Sequence, residues 1–527
     1  MSLPLNFGIP YHTLVTAVII ALSTALLAVL YQKFFRKKGI NDYPDNWHMP
    51  HRQNLHFTGR EEQILALHAL LHASVKVVII GMKSEHVSGG IGKSELAIEF
   101  AYRCRDEYSL IWWIDAETIF SIETAYMMIA RNLGILKKNE RDQNSISAAV
   151  KDWLSMNGEW LLVFDNMMNE EDLLPYIPSE VKGRILVTTP KSDWKESVAA
   201  RFSLDVFTPK EAVDFLLERE GNTSEAREAE ELSKETGFLP LALEQACAHI
   251  KYEKISIAQY LDSFRTRRVE ILMSGSPASP NGVVETACDL SFSKLHEEAK
   301  QLLFLCAFLH PEDIQFEMIK DGAEHLPEPL RSAAYDILRL RTAAASLTSY
   351  SLLYYEENMI IIHRLMQKVI RNRMDAETRK IFAGAAVAIV DKAFTYGEYK
   401  QETWEHSDRL IAQALTATSH AVEEEEALGT AIDLINNTGL YFQQTSRCPA
   451  ARERLELGLA LSGKVYGPDN ADVAVMHDNL AEVLMKLRDF ENAKKHFQRA
   501  LEIGIKVYGE DHPTTNLYRE NVESLTS

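Results

Sequence analysis

The sequence predicts a multidomain chain, α/β in its first part and all-α after it, on three observations. Apolar, β-branched runs alternate with helix-patterned stretches between residues 75 and 188, the order that gives a parallel sheet covered by helices. The strand signal stops after about residue 207 and helical spacing takes over. Near the C-terminus, Lys464-Val-Tyr-Gly-Pro-Asp469 returns as Lys506-Val-Tyr-Gly-Glu-Asp511, a 42-residue period typical of stacked helical hairpins. The 527 residues exceed what one hydrophobic core organises. Hydrophobic and charged contents of 46% and 25% are those of folded, globular chains. A net charge of −19, with no basic face to offset it, argues against a nucleic-acid partner. The five cysteines (Cys104, Cys247, Cys288, Cys306, Cys448) form no CxxC pair, so they read as buried thiols, not as a disulfide framework or zinc site.

In chain order, residues 1–38 come first. The run 13–31 (TLVTAVIIALSTALLAVLY) has no charge, and as a helix it would be about 28 Å long, close to the apolar thickness of a bilayer. Lys33, Arg36, Lys37 and Lys38 follow it, whereas the twelve residues before it contain no Lys or Arg. A single-pass N-terminal transmembrane helix is therefore expected, with the N-terminus outside and the bulk of the chain cytosolic. A basic flank after such a span suits the mitochondrial outer membrane or the endoplasmic reticulum. Residues 39–56 are polar and turn-rich and read as a linker.

A sheet domain is expected over residues 57–208, with strands at Val75–Gly81, Leu110–Asp115, Trp160–Asp165 and Arg184–Thr188 and helices at Ile122–Leu133 and Ser145–Met156. The first strand leads through a glycine-rich turn into Gly89-Gly-Ile-Gly-Lys-Ser94 and a helix-like run, Glu95–Phe100. Strand, glycine turn, Gly-Lys-Ser and helix is the order of a phosphate-cradling P-loop. The backbone N–H groups at such a helix start form an anion nest, the lysine adds a point charge and the serine hydroxyl reaches Mg²⁺. The usual spacing asks for a glycine five residues before Gly92, where this chain has Val87. The apolar strand Trp160–Phe164 ends in Asp165, the acidic partner a P-loop needs for its metal.

Residues 209–272 read as a helical domain (Lys210–Arg219, Ser224–Thr236, Leu241–Tyr252) broken at Gly237-Phe-Leu-Pro240, and 273–282 as a Ser/Pro/Gly linker. Residues 283–375 are helical and end in a hairpin pattern, Ser351–Tyr355 and Met359–Ile362 about a Glu356-Glu357-Asn358 turn, which predicts a small winged helix. Its lack of a basic recognition face favours a regulatory over a DNA-binding role. Residues 376–527 read as a helical region whose repeats are clearest over 430–527. Asn437, Asn479 and Asn521 share the period, as do Ala451 with Ala493, Leu455 with Phe497 and Leu459 with Leu501. An α-solenoid follows, because each helix pair leaves an apolar face that only a neighbour covers.

Taken together, these motifs resemble the NB-ARC group of STAND-type P-loop NTPases, NLR-like proteins of plants, animals, fungi and bacteria. The matching residues are Phe57-Thr-Gly-Arg-Glu61, Gly89–Ser94, Trp113-Ile-Asp115, Leu161-Leu-Val-Phe-Asp-Asn166, Gly183-Arg-Ile-Leu-Val-Thr-Thr189, Gly237-Phe-Leu-Pro-Leu-Ala242 and Ile362-His-Arg-Leu-Met-Gln367, in family order over about 57–370. The repeats resemble the tetratricopeptide type of kinesin light chains. The resemblance implies ADP/ATP and Mg²⁺ as cofactors. It places nucleotide contacts at Arg60, Gly89, Gly90, Gly92, Lys93, Ser94, Glu95, Pro240 and His363. Mg²⁺ would sit at Ser94 and Asp165, the latter also the catalytic carboxylate. His363 would touch the β-phosphate of ADP and hold a closed state; otherwise it is a core histidine, and Pro240 a plain helix break.

Three departures bear on activity. Lys83–Ser88 interrupts what the family has as a continuous glycine loop, Pro190 stands where many members carry an arginine after the Thr-Thr pair, and Asn166 replaces a second acidic residue. Proline offers neither charge nor N–H. The expectation is a membrane-anchored ADP/ATP-dependent switch with slow or absent hydrolysis, a repeat domain that binds a protein partner, and nucleotide-dependent homo-oligomers. The alternatives are a protein-interaction scaffold with a degenerate nucleotide fold, and a slow ATPase.

Overall fold

The structure is a computed structural model that describes residues 46–73, 76–82, 89–136, 142–191, 194, 199–220, 223–273, 282–356, 358–394 and 401–524. The expected membrane span 13–31 and the interruption Lys83–Ser88 lie outside the described residues. Among the described residues, no helix is long and apolar enough to cross a membrane. The chain divides into two compact units. The first comprises Met1–Lys83, Gly92–Glu117 and Lys151–Leu204, and the second Ser84–Ile91, Thr118–Val150 and Asp205–Ser527.

The first unit is built on six strands: β1 (Asn46–His48), β2 (Val77–Met82), β3 (Leu110–Asp115), β4 (Trp160–Asp165), β5 (Arg184–Thr188) and β6 (Ala200–Leu204). They form one sheet in the order β1-β3-β4-β5-β2-β6, and every pairing is parallel. The four inner strands are the apolar runs read from the sequence, and β4 is buried from end to end. Such runs lack alternation because both faces of a parallel strand are covered. The helices α1 (Glu61–His72) and α2 (Lys93–Arg103) pack on each other and on β2 and on β4 and β5, respectively.

Both edges depart from expectation. Asn46–His48 lies in the stretch read as linker, yet it pairs in register with Leu110–Trp112. Aromatic packing holds it, with Trp47 edge-on to Tyr102 at 5.0 Å and His48 stacked on Trp112 at 4.3 Å. At the other edge, β6 (ARFSL) is only partly buried. Its Arg and Ser gave no apolar pattern to read, but its backbone pairs with Val78–Met82 of β2.

Gly183, just before β5, sits against the Trp160 indole. A Cβ there would overlap the ring and lie 2.5 Å from the Trp160 carbonyl oxygen. The ring is held by N–H donation to the carbonyls of Leu154 (2.9 Å) and Asn157 (2.8 Å) and has no room to yield. Gly183→Ala is therefore expected to cost about 1–3 kcal/mol, seen as a lower melting temperature of the sheet unit; unchanged melting would mean that Trp160 repacks freely.

In the second unit, α3 (Ile119–Asn132), α4 (Gln143–Met156, which straddles the division), α5 (Glu170–Leu173, in the sheet unit) and α6 (Pro209–Glu220) precede α7 (Ala226–Glu235), α8 (Pro240–Glu253) and α9 (Ile257–Met273). Phe215, Leu232, Leu243, Tyr260 and Phe264 form the core of the helical part. Helix α9 fills the end of the predicted helical domain, where the sequence reading named no helix.

Next come α10 (Gly282–Phe292), α11 (Glu297–Cys306), α12 (Phe316–Asp321), α13 (Leu330–Ala334), α14 (Ile337–Ser349) and α15 (Arg364–Arg373), with β7 (Ile314–Gln315), β8 (Tyr354–Glu356) and β9 (Met359–Ile361). The three strands make an antiparallel sheet in the order β7-β9-β8, so the expected hairpin is present as β8–β9. Four of the five cysteines are buried and all are free.

The chain then runs through α16 (Ala376–Ala393), α17 (Gln401–Glu423), α18 (Leu428–Gln444), α19 (Cys448–Tyr466), α20 (Ala471–Lys486), α21 (Phe490–Tyr508) and α22 (Pro513–Glu523). From α17 on, each helix packs against the next. Small residues permit this: a Cβ on Gly439 would meet Leu455 at 2.8 Å, and one on Gly504 would meet Tyr518 at 2.9 Å. The periodic asparagines link successive repeats. Asn479 donates to Asn436 (2.8 Å), and Asn521 donates to the Asp478 carboxylate (2.9 Å).

Burial pushes the Asp478 carboxyl up to about 6, although the Asn521 amide pulls it down. In the unfolded chain an aspartate titrates near ~3.9. Between these values the folded state binds more protons, so stability falls as pH rises through the window. Lowering pH from ~7 to ~5 is thus expected to raise the solenoid's melting temperature. Asp478→Asn should gain about 1–3 kcal/mol at neutral pH and flatten the dependence; no gain in calorimetry would contradict the buried charge.

Candidate functional site

Helix α2 starts where the chain leaves a glycine in the left-handed region. Gly92 has φ 88°, which L side chains adopt only with strain, and its carbonyl accepts the first helical bond from the Leu96 N–H at 2.9 Å. The first residues of the helix, Lys93 and Ser94, thereby lie beside N–H groups with no intrahelical partner, the setting in which an anion binds. Burial holds the Lys93 ammonium below the usual lysine range, and Asp165 offsets part of that by attraction.

Asp165, at the end of β4, is 4% exposed. Its Oδ1 accepts from the Ser94 hydroxyl at 2.7 Å and from the Thr188 hydroxyl at 2.6 Å, the short contacts typical of a charged acceptor. Strand β5 lies between β4 and β2, so Asp165 and the end of β2 are two strands, roughly 10 Å, apart. The helix start, and not the strand, brings Ser94 to the carboxylate. Thr188 closes the arrangement by accepting from the Asn166 N–H at 2.9 Å. Asn166 has φ 62°, a conformation that asparagine tolerates better than most residues.

The sheet unit thus joins Lys93, Ser94 and Asp165. Arg60, in the same unit, is 4% exposed and left-handed (φ 68°) at the start of α1. Glu95 is exposed, and its carboxylate accepts from the Asn54 amide at 3.5 Å. The chain after Thr188 fits the loss of the arginine. The first cation there is Lys191, exposed and donating to the Asn169 side chain at 2.8 Å.

The second unit gathers the other candidates. The Gly90 carbonyl accepts from the Leu241 N–H at 3.2 Å. Gly90 has φ 75°, and a Cβ on it would meet Leu241 at 3.0 Å and Leu365 at 3.4 Å; one on Gly89 would meet Leu365 at 3.7 Å. Leu241 follows Pro240, the first residue of α8, where its missing N–H costs nothing. Leu365 follows His363 by two. The glycine pair therefore packs on the N-terminal turns of the two helices that carry Pro240 and His363. His363 is exposed, not a core histidine, and its Nδ1 caps α15 by accepting from the Leu365 N–H at 3.0 Å.

Sequence reading missed Thr188 as a partner of Asp165. A buried threonine ending the strand beside the Asp165 strand was the available signal. Leu241 and Leu365 were unreadable as contacts of Gly90, because nothing in a sequence states that two distant leucines meet one glycine.

A curated protein of Hyaloscypha variabilis described as a nucleotide-binding leucine-rich repeat (NLR)-like protein is 25% identical over 485 residues, covering 80% of this chain and 46% of that protein. A tetratricopeptide-repeat family profile matches residues 472–519. The similarity to that NLR-like protein runs over most of this chain's length. It spans less than half of that relative. A further family profile, a domain of unknown function (DUF7779), matches residues 290–379, from within α10 into α16.

Among solved structures, this chain is similar to a Signal Transduction ATPase with Numerous Domains (STAND) protein with a tetratricopeptide repeat sensor from Pyrococcus horikoshii. That likeness has 13% identity and a TM-score of 0.41, over 93% of this chain and 82% of that one. It is also similar to Cdc6p from Pyrobaculum aerophilum, with 14% identity and a TM-score of 0.26 over 62% of this chain and 98% of that one. Neither is close enough to transfer a role to a residue.

Proposed function

We propose that the chain is a nucleotide-dependent signalling switch whose repeats bind a protein partner. The observation that carries this is the start of α2: a left-handed Gly92, a desolvated Lys93, and Ser94 hydrogen-bonded to a buried Asp165. These residues fit a nucleoside diphosphate or triphosphate with Mg²⁺. Lys93 and the N–H groups of α2 would bind the phosphates, and Ser94 and Asp165 would hold Mg²⁺, which neutralises phosphate charge when bound. With Pro190 in place of a cation after Thr189, nothing there favours rapid hydrolysis.

The packing of Gly89 and Gly90 on the starts of α8 and α15 supports a switch over a passive binder. A ligand that orders the glycine turn differently in its diphosphate and triphosphate forms would bias those two helices, and with them Pro240 and His363. To reverse the populations it must favour one state by about 3–6 kcal/mol. The solenoid would supply the partner's binding surface, and residues 13–31 would tether the chain to a membrane, with the N-terminus outside and the bulk of the chain cytosolic.

Mass photometry of the full chain with ADP or with a non-hydrolysable ATP analogue tests the switch. A larger assembly with the ATP analogue alone is expected, and identical mass distributions would refute it. A fluorescent fusion of residues 1–40 tests the tether. Mitochondrial or reticular membrane labelling is expected, and diffuse fluorescence would overturn it.

A further inference from the structure

Helix α1 carries His68 and His72 one turn apart, so both rings lie on one face. That face meets Glu107, the last residue of a short 3₁₀ turn (Arg105–Glu107) just beyond the end of α2. Glu107 Oε2 lies 3.1 Å from His68 Nε2 and 3.0 Å from His72 Nε2. The rings are 4.1 Å apart between centroids, and all three potential ligand atoms lie within 4.8 Å of one another.

We propose that His68, His72 and Glu107 form a transition-metal site that takes Zn²⁺ or a similar imidazole-seeking dication. Tetrahedral zinc with bonds of about 2.0–2.1 Å sets its ligand atoms roughly 3.3 Å apart, and the two Glu107–histidine separations are already near that edge. Two imidazoles and one carboxylate are also the donor set of open zinc sites, whose fourth position is water. The side chains of His68 and Glu107 are mostly buried, whereas that of His72 is 38% exposed, which gives the ion an entry route and room for a water.

Calcium and magnesium are poor candidates, because both prefer oxygen cages and the nearby Arg184 charge opposes a weakly held dication. Bound metal would staple α1, whose first residue follows Arg60, to the C-terminal end of α2, whose other end carries Lys93 and Ser94. The site does not depend on nucleotide binding, and its failure would leave that reading untouched.

Titration of the purified, chelator-treated full chain with Co²⁺ tests the site. One equivalent is expected to give the intense visible absorption of a four- or five-coordinate ion, bleached by Zn²⁺. His72→Ala, at an exposed position that should fold, is expected to weaken binding by at least about tenfold, the range that loss of a mere outer-shell partner reaches. Glu107→Gln keeps a neutral acceptor for both rings while removing the charged ligand, and should weaken binding likewise. An octahedral, aquo-like spectrum, or affinity unchanged in both variants, would overturn the proposal and leave an ordinary hydrogen-bonded cluster.

Discussion

Lys93→Ala is expected to strip the purified chain of nucleotide and to lower its affinity for ADP and ATP by about 2–4 kcal/mol, roughly 30- to 1000-fold. The ammonium stands at the helix start, is held below the usual lysine range by burial, and is compensated in part by Asp165. A desolvated cation of this kind gains most from an anion at close range. The same reasoning fixes a second outcome. Without nucleotide, Lys93 is a cost to the fold, so nucleotide-free Lys93→Ala protein should melt no lower than nucleotide-free wild type. A structural lysine would behave in the opposite way, with lower melting and unchanged nucleotide affinity. Isothermal titration and scanning calorimetry on the two proteins separate these cases.

Asp165→Asn should act on the metal and not on the phosphates. The carboxylate accepts from Ser94 and Thr188 through one oxygen, so an amide oxygen in its place can keep both bonds but loses the charge that Mg²⁺ requires. Mg²⁺ is expected to tighten nucleotide binding in wild type, and about 10- to 100-fold of that gain should vanish in Asp165→Asn. Binding measured in EDTA should change little. Thr188→Ala should move the metal dependence in the same direction by less, because Thr188 orients Asp165 and does not touch the ion. If the Mg²⁺ dependence of Asp165→Asn matches wild type, the metal is held elsewhere.

The inner sheet was readable because burial on both faces leaves uninterrupted apolar runs. Leu110–Asp115, Trp160–Asp165 and Arg184–Thr188 occupy the residues their composition indicated. The edge strands were not, since Asn46–His48 and Ala200–Leu204 owe their places to backbone pairing and, at β1, to ring packing with Tyr102 and Trp112. The repeat was legible because a solenoid repeats its small residues, such as Ala451 and Ala493, wherever helices cross closely.

The site divides in the same way. Gly92, Lys93, Ser94 and Asp165 form a local motif and a strand end, so their placement follows from order along the chain. The left-handed turns at Arg60 and Asn166, the Thr188 bridge and the seat of Gly90 on Leu241 and Leu365 depend on tertiary contacts. His363 shows the limit most plainly. Its alternation with apolar neighbours leaves a core position open beside a phosphate contact, but the residue stands just past the end of β9 and caps the following helix from the surface.

The most direct test is the nucleotide content of the full chain purified without added nucleotide, measured by denaturing extraction and chromatography. Close to one equivalent of ADP is expected in wild type and none in Lys93→Ala. Wild-type protein that carries no nucleotide, and whose melting temperature does not respond to ADP or ATP with Mg²⁺, would contradict the switch.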